Sequence, residues 1–238
     1  NANMIISGAF GLFEKKTVIA VGGYDNSTMG EDMELVVRLH EFSRMNRKPY
    51  KIDFAQDAIC WSQTPEKLSE LGKQRKRWQR GLFQCMWGHR KMLANPRYGA
   101  VGLLSYLYFL LYELLSPFIE LLGVLTMVLS VMMDMLNVKF MLVFLAYYAL
   151  YGILLTLTAY FSRIYTIDQR FSFRELILAI TACFFETTFL RFYLEFVRVT
   201  AFVGYKKNKL NWDKLERKKM NRLEFYYDVN LSSRSNNK

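Results

Sequence analysis

The residues that build zinc sites and disulfide frameworks are scarce in this sequence. Its 238 residues include two histidines and three cysteines. Cys60, Cys85 and Cys183 lie far apart, and no Cys-x-x-Cys pair occurs. His40 and His89 are isolated, with no ligand partner at metal-binding spacing. Scattered cysteines in odd number argue against a disulfide framework, and the histidine spacing argues against zinc.

Acidic side chains are too few to balance the basic ones, and the formal net charge is +11. Lysine and arginine are concentrated beside long hydrophobic runs. Basic residues in this position are typical of the cytoplasmic flanks of membrane spans, which face anionic lipid. The charge therefore predicts contact with membrane lipid and not with nucleic acid. The clustered basic residues are Arg75, Lys76, Arg77, Arg80, His89, Arg90, Lys91, Lys206, Lys207 and Lys209.

The chain also lacks an initiator methionine and a signal peptide, since it begins at Asn1 and enters apolar sequence at Met4. We therefore expect a fragment or a cleaved product. Composition divides the chain into three parts. Residues 1–98 resemble a soluble α/β segment, residues 99–203 predict transmembrane helices, and residues 204–238 form a basic tail that we expect in the cytoplasm.

Three hydrophobic segments are candidates for membrane helices. Residues 140–162 contain no charged side chain and are long enough to cross a hydrocarbon core of about 30 Å. Residues 101–133 are interrupted by Pro117, which should kink or divide the helix. Residues 176–203 carry charged side chains, so they form either a third span that faces other helices or an amphipathic helix on the surface.

Glu113 and Glu120 lie two turns apart in the second of these segments. Carboxylates at membrane depth are costly and tend to face protein or water, so this pair could line a polymer channel. Alternatively, both lie near the interface and extend toward water. The sequence favours neither interpretation.

The soluble segment predicts strands and helices in alternation. Residues 4–13 and 50–61 read as strands, and residues 21–25 read as a turn between them. A helix is predicted to begin at Glu31, because acidic residues favour the first helical turn. A second helix is predicted to start at residues 64–66, with a bend at Gly81.

This second helix would place an amide, a guanidinium and an indole on one face, since Gln74, Arg77 and Trp78 have i, i+3 and i+4 spacing. An arginine binds phosphate through two hydrogen bonds, and an indole can stack on a sugar ring. Each residue alone has a simpler interpretation. Trp78 could anchor in lipid, Arg77 could contact lipid headgroups, and Asp32 could merely begin its helix.

The order of these motifs resembles the family 2 processive glycosyltransferases, which include cellulose, hyaluronan, chitin and poly-N-acetylglucosamine synthases. The resemblance is strongest over residues 5–90. It implies the C-terminal part of a GT-A nucleotide-diphospho-sugar transferase domain, which is an α/β fold, followed by an α-helical transmembrane region. The matching stretches are Ser7-Gly8-Ala9-Phe10-Gly11, Gly22-Gly23-Tyr24-Asp25, Gly30-Glu31-Asp32 and Gln74-Arg75-Lys76-Arg77-Trp78.

The resemblance also implies residue roles for an inverting transfer. Asp32 matches the general base of the family's Thr-Glu-Asp motif, although Gly30 stands in the threonine position. Gln74 and Arg77 match the residues that hold the donor pyrophosphate, and Trp78 matches the platform for the acceptor sugar. The remaining acceptor-binding positions are Ser7, Gly8 and Glu31.

The expected partners follow from the same resemblance. They are a nucleotide-diphospho-sugar donor, expected to be a UDP-sugar, and a polysaccharide acceptor. A Mg²⁺ or Mn²⁺ cofactor is expected, with its Asp-x-Asp ligands upstream, because residues 1–100 contain no Asp-x-Asp. This segment alone is therefore predicted to be inactive. The expected location is the cell membrane, as a multi-pass protein with a cytoplasmic catalytic segment.

Two alternatives stay open at the level of sequence. One is a non-processive transferase that glycosylates a lipid carrier, which product size would distinguish from a polymerase. The other is a membrane transport or structural protein without enzymatic activity. Clustered motifs ahead of the first hydrophobic segment favour an enzyme over this second alternative.

Overall fold

The computed structural model describes residues 2–55, 58, 60, 62–167 and 173–205. These residues form helices joined by turns and extended segments, and none of the described residues belongs to a β-strand. The helices are α1 (Lys15–Ala20), α2 (Glu31–Met45), α3 (Leu68–Gly88), α4 (Val101–Leu114), α5 (Ser116–Met132), α6 (Val138–Ile167), α7 (Phe173–Phe185) and α8 (Arg191–Thr200). Short 3₁₀ turns occur at Arg90–Met92 and Pro96–Tyr98, and π-helical turns at Val101–Ser105, Phe109–Leu114 and Glu186–Leu190.

Neither strand predicted from the sequence is found among the described residues. Residues 4–13 are extended and turn-like, although Met4 is buried in the core as an apolar strand residue would be. The described residues of 50–61 are also outside any strand, and residues 56, 57, 59 and 61 of that prediction lie outside the described part of the chain. Apolar alternation reports burial on one side, whereas a strand also needs a neighbouring backbone to pair with. The α/β prediction is therefore not confirmed for the described residues.

The helix predicted at Glu31 is confirmed, with Glu31, Asp32 and Glu34 in its first turn. The second helix begins later than predicted. Its first residue is Leu68, and Lys67 precedes it in an extended conformation without a side-chain cap. The helix α3 continues without a break through Gly81 to Gly88, and the bend expected at Gly81 stays a prediction.

The core gathers apolar side chains from α2, the end of α3 and α4, with Met4 packed among them. Val37, Met92 and Val101 are completely buried, and Phe202 packs against the same cluster. The remaining buried members are Met33, Cys85, Met86, Tyr98, Tyr106 and Leu114. These contacts fix α2 against α3, which is the arrangement that positions the candidate site.

The chain divides into two compact units. The larger one contains residues 2–135 and 192–205, and the smaller one contains the described residues of 136–191. Within the smaller unit, α6 packs against α7, where the Cys183 thiol lies 2.7 Å from the Thr156 hydroxyl, and against the π-helical turn Glu186–Leu190, where Gly152 lies close to Thr187.

Among the described residues, two helical stretches are long and apolar enough to cross a membrane, and a bent pair raises this number to at most three. The two are Val138–Ala159, which agrees with the span predicted at residues 140–162, and Phe173–Thr200. The bent pair joins α4 to α5 at 45°, directly before Pro117, so the predicted kink is confirmed. Residues 206–238 of the predicted basic tail lie outside the described part of the chain.

Candidate active site

The carboxylate of Asp32 is held in place by two backbone N–H groups. The Met33 N–H donates to Oδ1 at 2.8 Å, and the Gly8 N–H donates to Oδ2 at 3.2 Å. The second bond reaches across 24 residues and brings the turn at Ser7 to the first turn of α2. The structure thus brings Ser7, Gly8 and Asp32 together, and Glu31 is the first residue of the same helix.

Gly8 allows the backbone to approach this carboxylate closely. A β-carbon at Gly8 would lie 3.1 Å from Asp32 Oδ2, which is tighter than an ordinary contact. A side chain there would therefore displace the carboxylate or the turn. Glycine is therefore favoured at position 8 because Asp32 lies close to it, and not only because glycine has a flexible backbone.

The N-terminus of α2 rests directly on α3. A β-carbon at Gly81 would lie 2.6 Å from the Gly30 nitrogen and 2.8 Å from its Cα, so only glycine fits. Gly81 follows Trp78 by three residues and Arg77 by four, and residues at these spacings are neighbours on a helix surface. The helix turn that carries Asp32 therefore lies one turn of α3 from Arg77 and Trp78.

Hydrogen bonds from the segment before α2 to Gln84 of α3 strengthen the contact between Gly30 and Gly81. Gln84 Oε1 accepts from the Met29 N–H at 2.7 Å and from the Thr28 hydroxyl at 3.1 Å. The Thr28 hydroxyl in turn accepts from the Gly30 N–H at 3.2 Å. Thr28 and Gln84 were not predicted from the sequence. Gln84 follows Gly81 by three residues and so lies on the same face of α3, which is the sequence signal that could have identified it.

The motif residues of α3 differ in exposure. Trp78 is 49% exposed, and the Arg75 guanidinium lies 4.5 Å from the centre of its ring. Gln74 and Arg77 are half-buried on the same uninterrupted helix. The indole of Trp78 is thus half-exposed, with the Arg75 guanidinium stacked on its ring.

Behind the site, a charged network ties α2 to the end of α3. His89 Nδ1 lies 2.5 Å from Glu41 Oε2, and Nε2 lies 3.2 Å from Glu34 Oε1. Burial lowers the pKa of His89, but the hydrogen bonds to Glu34 and Glu41 outweigh it, so the net pKa is raised. Both ring nitrogens face acceptors, which is the arrangement of a protonated imidazole.

The same network reaches the turn predicted at residues 21–25. Arg38 bonds to Glu34 at 2.7 Å and donates to the carbonyls of Val21 and Gly23 at 2.6 and 2.7 Å. Gly22 and Gly23 have φ of 91° and 77°, which L side chains rarely adopt. The turn prediction is confirmed, and its glycines let the chain fold back onto α2.

A metal site is not evident among the described residues, where no group of three or more His, Cys, Asp or Glu side chains is arranged to hold an ion. Within that part of the chain, Asp32 lacks the neighbouring ligands that a divalent cation requires. The expected Mg²⁺ or Mn²⁺ stays a prediction.

A cavity of about 320 Å³ lies elsewhere in the larger unit, between residues 2–5 and the α4 residues Leu104, Ser105, Tyr108 and Phe109. None of the predicted site residues lines it. It adjoins the Ser7 turn in sequence, but its walls offer mainly apolar side chains.

Comparison with known proteins agrees with these motifs. The family model described as "Glycosyl transferase family group 2" matches residues 2–194. The chain belongs to this family. It is 37% identical over 90 residues to the poly-beta-1,6-N-acetyl-D-glucosamine synthase of Staphylococcus aureus (strain COL) and 36% identical over 90 residues to that of Staphylococcus epidermidis (strain ATCC 35984).

These matches are partial in length. They cover 38% of this chain, and the chain covers 19% of each of these two relatives. No solved structure gives a significant match. The chain is thus a member of a glycosyltransferase family and is similar, over part of its length, to polysaccharide synthases.

Proposed function

We propose that the chain forms the membrane-side half of an inverting glycosyltransferase that extends a polysaccharide from a nucleotide-diphospho-sugar. The Gly30–Gly81 contact carries this proposal, because it puts the Asp32 turn beside the α3 face of Arg77 and Trp78. A single-step glycosyl transfer needs a general base, a guanidinium that binds the diphosphate and a surface that holds the acceptor sugar. Asp32, Arg77 and Trp78 supply these three groups within about one helix turn.

Asp32 acts as the general base. Its carboxylate takes the proton from an acceptor hydroxyl while that oxygen attacks the anomeric carbon of the donor. The new bond joins the acceptor oxygen to this carbon, and the bond from the carbon to the diphosphate oxygen breaks. Attack opposite the leaving group inverts the configuration, so no covalent enzyme intermediate forms. The N–H groups of Gly8 and Met33 hold the carboxylate in orientation for this step.

Gln74 and Arg77 bind the donor diphosphate. The leaving group gains negative charge as the bond breaks, and the Arg77 guanidinium stabilises that charge through paired hydrogen bonds. Trp78 provides a flat apolar surface for the acceptor sugar, and Ser7, Gly8 and Glu31 border the acceptor end. A UDP-sugar is the proposed donor, and a divalent cation bound by residues outside this chain is the proposed cofactor.

The membrane setting favours polymer export over transfer to a soluble acceptor. Helical stretches able to span a membrane follow the motif helix α3 in the chain. We propose a multi-pass protein of the cell membrane whose catalytic segment faces the cytoplasm and the nucleotide-sugar pool. Membrane lipid then contacts the exposed apolar surfaces of these helices.

The experiment uses the full-length protein in membrane vesicles with radiolabelled nucleotide sugars. UDP-N-acetylglucosamine is tested first, because the relatives are named as N-acetylglucosamine polymer synthases. Asp32→Asn should reduce incorporation by roughly 10²–10⁴-fold, the usual contribution of a general base. Asp53→Asn is the matched control, because Asp53 is an exposed carboxylate paired with Lys51.

Two results would overturn the proposal. Full incorporation by Asp32→Asn would remove Asp32 from the chemistry. Wild-type product that consists only of a lipid carrying one sugar would replace polymer synthesis with non-processive transfer.

A further inference from the structure

The bend between α4 and α5 leaves two backbone carbonyls without helical partners. Pro117 has no N–H, so the Glu113 carbonyl loses the donor that an uninterrupted helix would supply. The N–H groups of Phe118 and Ile119 both donate to the Leu115 carbonyl, at 3.0 and 3.1 Å, and this leaves the Leu114 carbonyl outside the ladder. In an apolar helix, neighbouring side chains are one means of satisfying freed carbonyls of this kind.

Side chains from two other helices supply the missing donors. Gln79 of α3 is buried and donates from Nε2 to the Leu114 carbonyl at 3.0 Å. Arg198 of α8 donates from Nη2 to the Glu113 carbonyl. Each bond crosses a long stretch of chain, 35 residues for Gln79 and 85 for Arg198.

The two donors also bind each other. Arg198 Nε donates to Gln79 Oε1 at 2.9 Å, which fixes both ends of the Gln79 amide. Arg198 Nη1 donates to the Glu195 carboxylate at 3.1 and 3.3 Å, and the Glu113 carboxylate lies 3.8 Å from Nη2. Two carboxylates thus face one half-buried guanidinium. We call this arrangement of Gln79, Arg198, Glu195 and the two carbonyls the clasp.

The clasp is joined directly to the candidate active site. Gln79 follows Trp78 in sequence, and Arg80 donates from Nε to the Ala201 carbonyl at 2.8 Å. Farther along the same pair of helices, the Tyr193 hydroxyl donates to the Leu68 carbonyl at 3.1 Å. One side of α3 therefore carries the indole, while the adjacent positions hold α8 and the bent α4–α5 pair.

We propose that Gln79 and Arg198 are positioning residues that lock the bent α4–α5 pair onto α3, and so set where Trp78 delivers the growing chain. They act through backbone carbonyls and touch no substrate. This inference rests on the proposed function only in its second part, the delivery of polymer. The first part, which we call the lock, is the attachment of the α4–α5 pair to α3, and it depends on the fold alone.

The decisive variant is Pro117→Ala, which gives residue 117 an N–H that can donate to the Glu113 carbonyl. In this background, the carbonyl no longer needs Arg198. Arg198→Met should therefore lower the melting temperature of the detergent-solubilised full-length protein less in the Pro117→Ala background than in the wild-type background. The two proteins that contain Pro117→Ala share the cavity left by the proline ring, so its effect on the melting temperature cancels when they are compared with each other. Arg90→Met is the control arginine, since Arg90 is exposed and stacks on Trp87.

The second measurement is product length at matched donor consumption. Arg198→Met and Gln79→Met should shorten the polymer by a larger factor than they lower the initial rate of sugar incorporation. Adding Pro117→Ala to the Arg198→Met variant should restore the polymer length. An ordinary ion-pair anchor would lower stability without this restoration.

Each outcome decides one part. Equal losses of melting temperature in the two backgrounds would overturn the lock. If Arg198→Met lowers the melting temperature less in the Pro117→Ala background but the polymer length is unchanged, the positioning role is overturned. A wild-type protein that makes no polymer would contradict the proposed function and with it the delivery role, while the melting temperatures would still decide the lock.

Discussion

Gly81 of α3 lies so close to Gly30 at the start of α2 that a β-carbon on Gly81 would be 2.6 Å from the Gly30 nitrogen. The contact is backbone to backbone, so no flexible side chain can move aside. It fixes the distance between the helix turn that carries Asp32 and the helix face that carries Trp78.

Gly81→Ala should therefore separate the two helices and destabilise the fold by roughly 1–3 kcal/mol, as overpacking usually does. Gly88→Ala is the matched control on the same helix, because a β-carbon there meets no atom within 4 Å. Melting temperature and sugar incorporation of the full-length protein should both fall in the first variant and be retained in the second. Equal behaviour of the two would contradict the close contact.

Gly8→Ala tests the neighbouring approach. Its β-carbon would press on Asp32 Oδ2 from 3.1 Å, so the carboxylate should rotate or the Ser7 turn should shift. We expect kcat for sugar incorporation to fall more than the melting temperature changes, since Gly8 is exposed and the fold loses little. Unchanged kcat would show that the orientation of Asp32 tolerates this displacement.

Trp78→Ala should lower polymer synthesis by about tenfold if stacking of a sugar contributes ~1.4 kcal/mol. Trp87→Ala provides a close control, because Trp87 is 63% exposed and also carries an arginine, Arg90, over its ring at 5.4 Å. Product assays on both variants separate a role in acceptor binding from general membrane anchoring. Similar losses in the two would favour anchoring.

His89 should make stability depend on pH at the alkaline side. Its folded pKa is raised above the ordinary value of 6.5, so its stabilising contribution is complete below 6.5 and is lost as pH rises through the folded value. His89→Gln should flatten this part of a melting-temperature profile. A wild-type decline that persists unchanged in the variant would remove the ion pairs with Glu34 and Glu41 as its cause.

His40 should act with the opposite sign. Burial lowers its pKa, and its ring accepts from the Tyr50 hydroxyl at 2.8 Å and donates to the Asn3 carbonyl at 2.7 Å as a neutral imidazole. Its contribution is present above the ordinary pKa of 6.5 and is lost as pH falls through the folded pKa. His40→Gln should therefore flatten the acid side of the profile and leave the alkaline side intact.

Local signals in the sequence were sufficient for several features. The acidic first turn located the start of α2 at Glu31, and Pro117 located the bend between α4 and α5. An uncharged run located the α6 span. Each of these depends on neighbouring residues alone, which is why one sequence could predict them. The roles assigned to Asp32 and Trp78 stay predictions.

Other features depended on distant partners. Met4 is buried as an apolar strand residue would be, yet no strand pairs with it among the described residues. The start of α3 at Leu68 replaced a capping pattern at residues 64–66 that looked favourable locally. The Gln79–Arg198 bond links residues 119 apart, and no periodicity in either helix indicates it.

The pairing of α3 with the 195–201 segment also has a consequence for biosynthesis. The Ala201 carbonyl that receives Arg80 is made 121 residues later. At roughly 5–20 residues per second, the ribosome needs roughly 6–24 s to produce it. During that interval the nascent α3 lacks this acceptor, because the hydrophobic segments between the two residues are synthesised first. The contact between α3 and the 195–201 segment therefore cannot form until translation has passed residue 201.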